Sequence, residues 1–138
     1  MPNTIRKVNY AYLTTASKAG AAAGILEALR AANVNLLVFS GFPQGRNRAQ
    51  IDLVTDELDA LKAVARRERW KLSRTKRAFL VQGTDEPGAA VAPLATMGGA
   101  NINVTAAHAV AAGQGRFGMI FWVASRDYNR AAKLLAAT

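Results

Sequence analysis

Apolar and polar positions along the chain alternate between short β-type runs and stretches of helical period. Val8 to Leu13 is the first β-type run. Ser17 then offers a helix start for the stretch Lys18 to Ala32, where Ile25, Leu26 and Leu29 share one face. The run Val34 to Ser40 predicts a second strand, Gly41-Phe42-Pro43-Gln44-Gly45 a hairpin-type loop, and Arg48 to Val54 a third strand. Asp56, Glu57 and Asp59 load the first turn of a second helix, and its apolar positions Leu58, Leu61, Val64 and Ala65 fit the helical period. Trp70 to Ser73 completes the order β-α-β-β-α-β as a fourth strand.

The same pattern occurs twice. Ala32-Asn33-Val34-Asn35-Leu36 aligns with Ala100-Asn101-Ile102-Asn103-Val104 at an offset of 68, placing Gly20 on Gly88 and Leu26 on Leu94. Past a glycine-containing loop, where insertions cost little, the offset becomes 70 and Gln44-Gly45-Arg46 meets Gln114-Gly115-Arg116. The second copy runs through Arg77–Gln82, Pro87–Met97, Ile102–Ala107, Arg116–Ala124 and a helix Arg126–Ala136, with no residues for a fourth strand. The expected architecture is α+β: two βαββαβ units in tandem, residues 1–74 and 75–138, each an antiparallel sheet with helices on one face. The second unit's open edge then needs cover from the first unit, from residues 1–6 or from another chain. Met119-Ile120-Phe121-Trp122-Val123 is apolar at both parities, so both its faces are expected to be buried, the second by a loop or, preferably, by a second chain in a homodimer.

Composition narrows the class. A chain of 138 residues, 51% apolar, suffices for one ordinary globular body. No apolar stretch approaches the roughly 18 residues of a membrane span, and Met1 to Lys7 lacks a signal-peptide core, so no membrane partner and a cytoplasmic location are expected. The absence of cysteine excludes disulfides and thiolate chemistry, and a single histidine, His108, makes a zinc site improbable. No nucleophile with a base, no paired carboxylates in separate elements and no metal-ligand spacing is present, so neither catalytic residues nor a cofactor are expected. The formal charge of +9 raises the question of a polyanionic partner. Arg66, Arg67, Arg69, Lys71, Arg74, Lys76 and Arg77 are opposed locally by Glu68 alone. A solvated helix end that complements the helix dipole is the preferred reading of this cluster, with nucleic acid or an acidic protein as the alternative.

The loop Thr84-Asp85-Glu86-Pro87-Gly88 opens the second copy's first helix, and Asn103 follows Gly88 by 15 residues. The Asp-x-Pro-Gly opening, the Gly-to-Asn spacing and the βαββαβ order together resemble the ACT domain, an amino-acid-sensing regulatory module of ferredoxin-like fold. The first copy keeps the spacing from Gly20 to Asn35 but reads Ser17-Lys18-Ala19-Gly20, without the acid or the proline. The resemblance implies an amino-acid effector at the junction of two units, a role in regulation and a partner enzyme or regulator that reads the occupancy. It assigns Asp85, Glu86, Pro87, Gly88 and Ala89 to the binding loop and Asn101, Ile102 and Asn103 to the facing segment, with Ser17, Lys18, Gly20, Asn33 and Asn35 as their counterparts. A glycine there lets a ligand approach the backbone, helix amides suit a carboxylate, and Asp85 suits an ammonium group. The competing expectation is that Asp85 and Glu86 only cap the helix, a contribution of about 1 kcal/mol. A subunit that mediates association without a ligand is the runner-up function.

Arg116-Phe117-Gly118-Met119-Ile120-Phe121 has a faint likeness to the sheet motif of RNA-recognition domains, weakened by Met119 in an aromatic position. Pro93, inside the expected helix, predicts a kink or a short first turn. His108 reads as structural, and Gly113, Gly115 and Gly118 lie between strands, the wrong setting for a phosphate loop.

Overall fold

A computed structural model describes residues Asn3–Thr138; Met1 and Pro2, part of the stretch proposed to cover the sheet edge, lie outside the described residues. The chain forms β1 (Thr4–Ala16), α1 (Ala21–Ala31), β2 (Val38–Pro43), β3 (Arg48–Val54), α2 (Leu58–Glu68), β4 (Lys76–Thr84), α3 (Val91–Gly99), β5 (Val104–Gly113), β6 (Arg116–Val123), a 3-10 turn at Ser125–Asp127 and α4 (Tyr128–Leu135). It divides into two compact bodies, Asn9–Lys76 and the chain up to Val8 together with Arg77–Thr138. This spatial division falls two residues past the sequence boundary at 74/75 and assigns the start of β1 to the body built from the second copy.

In the body Asn9–Lys76, β1 and β2 flank β3 antiparallel, with Leu13 opposite Ile51 and Phe39 opposite Leu53. Alternate strand positions Ala11, Leu13, Ile51 and Leu53 pack with Ile25 and Leu29 of α1 and with Leu61 and Val64 of α2. Helix α1 begins at Ala21, not at Lys18, because Gly20 is left-handed (φ 86°); Ser17 does not cap it, its N–H donating instead to Asn47 O (2.9 Å). The expected fourth strand at Trp70–Ser73 does not form a ladder. Only Ser73 registers: its N–H donates to Tyr12 O (2.8 Å), while its hydroxyl, in place of a backbone carbonyl, accepts from the Tyr12 N–H (2.9 Å).

In the other body the strand order is β1–β4–β6–β5, with β4 and β6 antiparallel and Val81 opposite Met119. The opening segment of β1 thus occupies the place left by the second copy's missing strand. Thr138 completes it, its N–H donating to Ile5 O and its carbonyl accepting from the Lys7 N–H, both at 3.0 Å. Gly83 lies against this segment, where a Cβ would meet the end of the Asn3 side chain and make it turn aside. The core joins Phe79, Val81, Met97, Ile102, Met119, Phe121, Tyr128 and Ala131. Ile120 and Trp122, on the opposite parity of β6, are only 3% and 8% exposed in the single chain, so their burial requires no second copy. The argument for a homodimer from that strand therefore lapses.

Helix α3 starts at Val91 rather than Pro87. Pro93 consequently sits in the first turn, where its missing N–H sacrifices no helical bond, and no kink is needed.

Candidate functional site

The loop between β4 and α3 carries the acidic residues. The Asp85 N–H donates to Gly115 O (2.8 Å), Pro87–Ala90 form consecutive turns, and the Val91 N–H donates to Gly88 O (2.9 Å). Gly88 is left-handed (φ 75°), and a Cβ added there would meet only Val91 Cγ2, at 3.4 Å, so conformation rather than space demands the glycine. Asp85 and Glu86 are exposed, and neither caps α3, whose N-cap is Ala90 and whose first turn holds no acid. The capping expectation is thereby corrected: the helix begins too far along the chain for either carboxylate to reach its first amides. Among the described residues neither side chain has a hydrogen bond or ion pair, and the N–H groups of Gly88 and Ala90 find no acceptor. Two carboxylates and two open donors thus stand on one short loop, a set that can meet both an ammonium and a carboxylate.

The paired Asn-x-Asn segments are mostly helix caps. Asn33 and Asn101 are left-handed (φ 59° and 58°) and end α1 and α3 in the same six-to-one pattern, Val34 N–H to Leu29 O and Ile102 N–H to Met97 O, both 2.9 Å. Ile102, 3% exposed, is a core residue. The caps delay the strands to Val38 and Val104, four and two residues later than the apolar runs predict. Asn103 is exposed. Asn35 is held by its backbone: its N–H donates to Glu57 Oε2 (2.8 Å) and its carbonyl accepts from Thr55 Oγ1 (2.7 Å).

Asn33 and Asn35 line a cleft of about 420 Å³ in the body Asn9–Lys76, with Leu26, Arg30, Leu36 and Phe39 among its walls. Leu26 and Phe39 are 38% and 37% exposed, and the Arg30 guanidinium is engaged by both Glu27 oxygens, which raises its pKa. Sequence patterning missed this cleft; its signal was the apolar excess Leu36-Leu37-Val38-Phe39 just past a helix cap. Ser17, Lys18 and Gly20 are exposed and are not among its lining residues. They sit at the other end of α1, which at about 1.5 Å per residue separates them from Asn33 by roughly 16 Å. Likewise α3 holds the Asp85–Ala89 loop about 13 Å from Asn101. Within one body, therefore, the loop and the Asn segment stand at opposite ends of a helix and do not meet.

The other candidates resolve simply. Phe117, Met119 and Phe121 are buried in the helix-facing core, so β6 offers no platform for stacking bases. His108 lies within β5, exposed, with its ring edge-on to Trp122 at 5.8 Å. Gly113 ends β5, and Gln114-Gly115 form the two-residue hairpin turn to β6. Among the described residues no group of three or more His, Asp or Glu could hold a metal ion, and no helix is long and apolar enough to cross a membrane.

These bodies, antiparallel strands carrying two helices each, define an α+β, ferredoxin-like class. The sequence matches no family profile and no curated protein. Among solved structures, a protein from Bacteroides thetaiotaomicron superposes with a TM-score of 0.74 at 13% identity, over 97% of this chain and 88% of that one. The ligand-free regulatory subunit of aspartate kinase from Thermus thermophilus gives 0.64 at 13% identity, over 99% and 95%. E. coli aspartokinase III in complex with lysine and aspartate gives 0.54 at 12% identity, over 98% of this chain and 32% of that one. The fold of each body is of the ACT type found in the aspartate kinase regulatory subunits.

Proposed function

We propose that this chain is a non-catalytic regulatory protein that binds a small amino acid at a junction of ACT-type units and passes the occupancy to a partner enzyme. The observation that carries the reading is the Asp85–Ala90 loop, where an exposed carboxylate without a protein partner stands beside two open backbone donors. Asp85 takes the ammonium, the Gly88 and Ala90 amides take the carboxylate, and the Asn segment of a neighbouring unit supplies the far wall. The first-copy loop, with Ser17 in place of Asp85 and Lys18 in place of Glu86, is the weaker half-site. That structural neighbours include regulatory subunits of aspartate kinase, and an aspartokinase in complex with lysine and aspartate, supports both the regulatory role and the ligand class.

A thermal-shift screen against the common amino acids tests this. A ligand at 100 times its dissociation constant adds about 2.7 kcal/mol of stability. One or a few amino acids should raise the melting temperature, and Asp85→Ala should abolish the rise without altering the unliganded melt. If no amino acid at millimolar concentration moves the wild type, the sensor reading fails. One observation then favours the runner-up: β5 is a long edge strand without an Asp, Glu, Lys or Arg, and Val110 on it is 64% exposed, the profile of a strand that pairs with another chain in a homodimer or with a regulated partner.

A further inference from the structure

The basic cluster is not explained by the fold. Helix α2 ends with Arg66 and Arg67 in its last turn, where cations complement the dipole, but Arg69, Lys71, Arg74 and Lys76 lie beyond it. The second copy supplies an internal control. Helix α4 ends in the same way, with a left-handed Ala136 matching Arg69 and an Ala137 N–H to Ala132 O bond (3.0 Å) matching Trp70 N–H to Ala65 O (2.8 Å). That end forms with Lys133 as the only basic residue in its last turn. The same backbone therefore needs none of the extra cations.

The cluster is also little neutralised. Among the described residues its one ion pair is Arg67 with Glu68 at 3.5 Å, both exposed, a contact worth little in water. Arg66, Arg69, Lys71 and Arg74 are exposed, while Lys76 leans toward the Tyr12 ring (5.9 Å). Arg69 moreover occupies a left-handed position (φ 60°), where glycine or asparagine is the usual choice.

We propose that residues 66–76 form a surface for the phosphate backbone of a nucleic acid, read without sequence preference. Charge complementarity gives the class of partner, and the absence of apolar anchors selects within it. Protein interfaces are anchored by buried aromatic or aliphatic side chains, and membrane-surface segments by inserted ones. Among the described residues the large exposed apolar ones are Leu26, Phe39, Val91, Val110 and Leu134, none of them in this segment. Phosphate contacts need only cations, and each releases counterions, so affinity falls steeply with salt. The surface is independent of the amino-acid site.

The test is fluorescence anisotropy of the intact chain with a labelled 20-base-pair DNA duplex and a 20-nucleotide single strand, without amino acids, over 25–300 mM NaCl. The variant Arg66→Gln/Arg69→Gln/Lys71→Gln/Arg74→Gln is compared with a charge-matched control, Lys18→Gln/Arg46→Gln/Arg126→Gln/Lys133→Gln. Both should melt like the wild type, since the residues changed are exposed. On the duplex, the cluster variant should bind at least tenfold more weakly at 100 mM salt and lose about 3 to 4 from the log-log salt slope, at roughly 0.9 per phosphate contact. The control should lose less than threefold, and Arg66→Lys/Arg69→Lys/Arg74→Lys should bind like the wild type. Equal losses in variant and control would overturn the proposal in favour of bulk charge. Competition by poly-glutamate as effective as by DNA would overturn it in favour of an acidic protein, and the absence of binding at 25 mM salt would overturn it outright.

Discussion

Replacing Tyr128 with phenylalanine isolates one buried hydroxyl whose stabilising role should fade at high pH. Tyr128 is 2% exposed, stacks on Phe79 with centroids 4.5 Å apart, and donates its hydroxyl to Ala78 O at 2.9 Å. Phenylalanine keeps the stack and removes the donor. The loss of one buried hydrogen bond costs about 1 to 1.5 kcal/mol near neutral pH, or a few degrees in melting temperature. Burial pushes the phenol from 10.0 up to about 12, with Arg77, 4.1 Å above the ring, acting in the opposite direction. A raised folded value means that this contribution is complete below pH ~10 and is lost as the pH rises through about 12. A two-unit shift corresponds to at most about 2.7 kcal/mol, enough to cancel what the hydrogen bond contributes. The wild type's advantage should therefore shrink toward zero between pH 10 and 12. Urea unfolding followed by circular dichroism at pH 7, 9, 10, 11 and 11.5 measures it as a difference in which the other tyrosines and the lysines cancel. A difference that stays constant over this range would refute the argument that the phenol must remain neutral in its site.

Thr55→Val tests the bracing of the cleft. Thr55 is 1% exposed, and its hydroxyl donates to Asn35 O at 2.7 Å and accepts from the Glu57 N–H at 2.9 Å. The variant should lose about 2 to 3 kcal/mol in urea unfolding, and hydrogen exchange at the Asn35 and Glu57 amides should speed up. Lys7→Pro tests the opening strand segment by removing the N–H that donates to Thr138 O. It should destabilise the chain by about 1 to 3 kcal/mol, whereas Lys7→Ala, which keeps the N–H, should stay within about 0.5 kcal/mol. Equal effects would show that the side chain, not the main-chain bond, matters there.

The repeat and the helix-facing cores were legible because period is a local property. Phe117, Met119, Phe121 and Val123 alternate through β6 and all reach the core, and Arg48–Val54 is a strand with the bounds that its apolar run predicts. Helix starts were less legible, since Gly20 and Gly88 look like openings of a helix and are left-handed turns ahead of it. The place of residues 4–8 was legible only as one of three ways to cover the second copy's open edge. Nothing local distinguishes the first half of β1 from its second half, and only the vacancy beside β4, far along the chain, assigns it to the other body.

The site shows the same division. The Asn-x-Asn repeat, which drew attention as a binding feature, has a sufficient structural cause in two left-handed helix caps, each pairing a buried apolar residue with the helix end. A feature so well explained by folding carries little weight for function. Asp85 is the opposite case: it caps no helix, stands exposed and pairs with no described residue, on a loop whose glycine is fixed by backbone conformation. The first copy, with Lys18 at the corresponding loop, folds into the same unit without it. The difference between the copies thus lies in exposed charge and not in the core. For this reason the Asp85 loop, and separately the cations beyond α2, are where function should be sought.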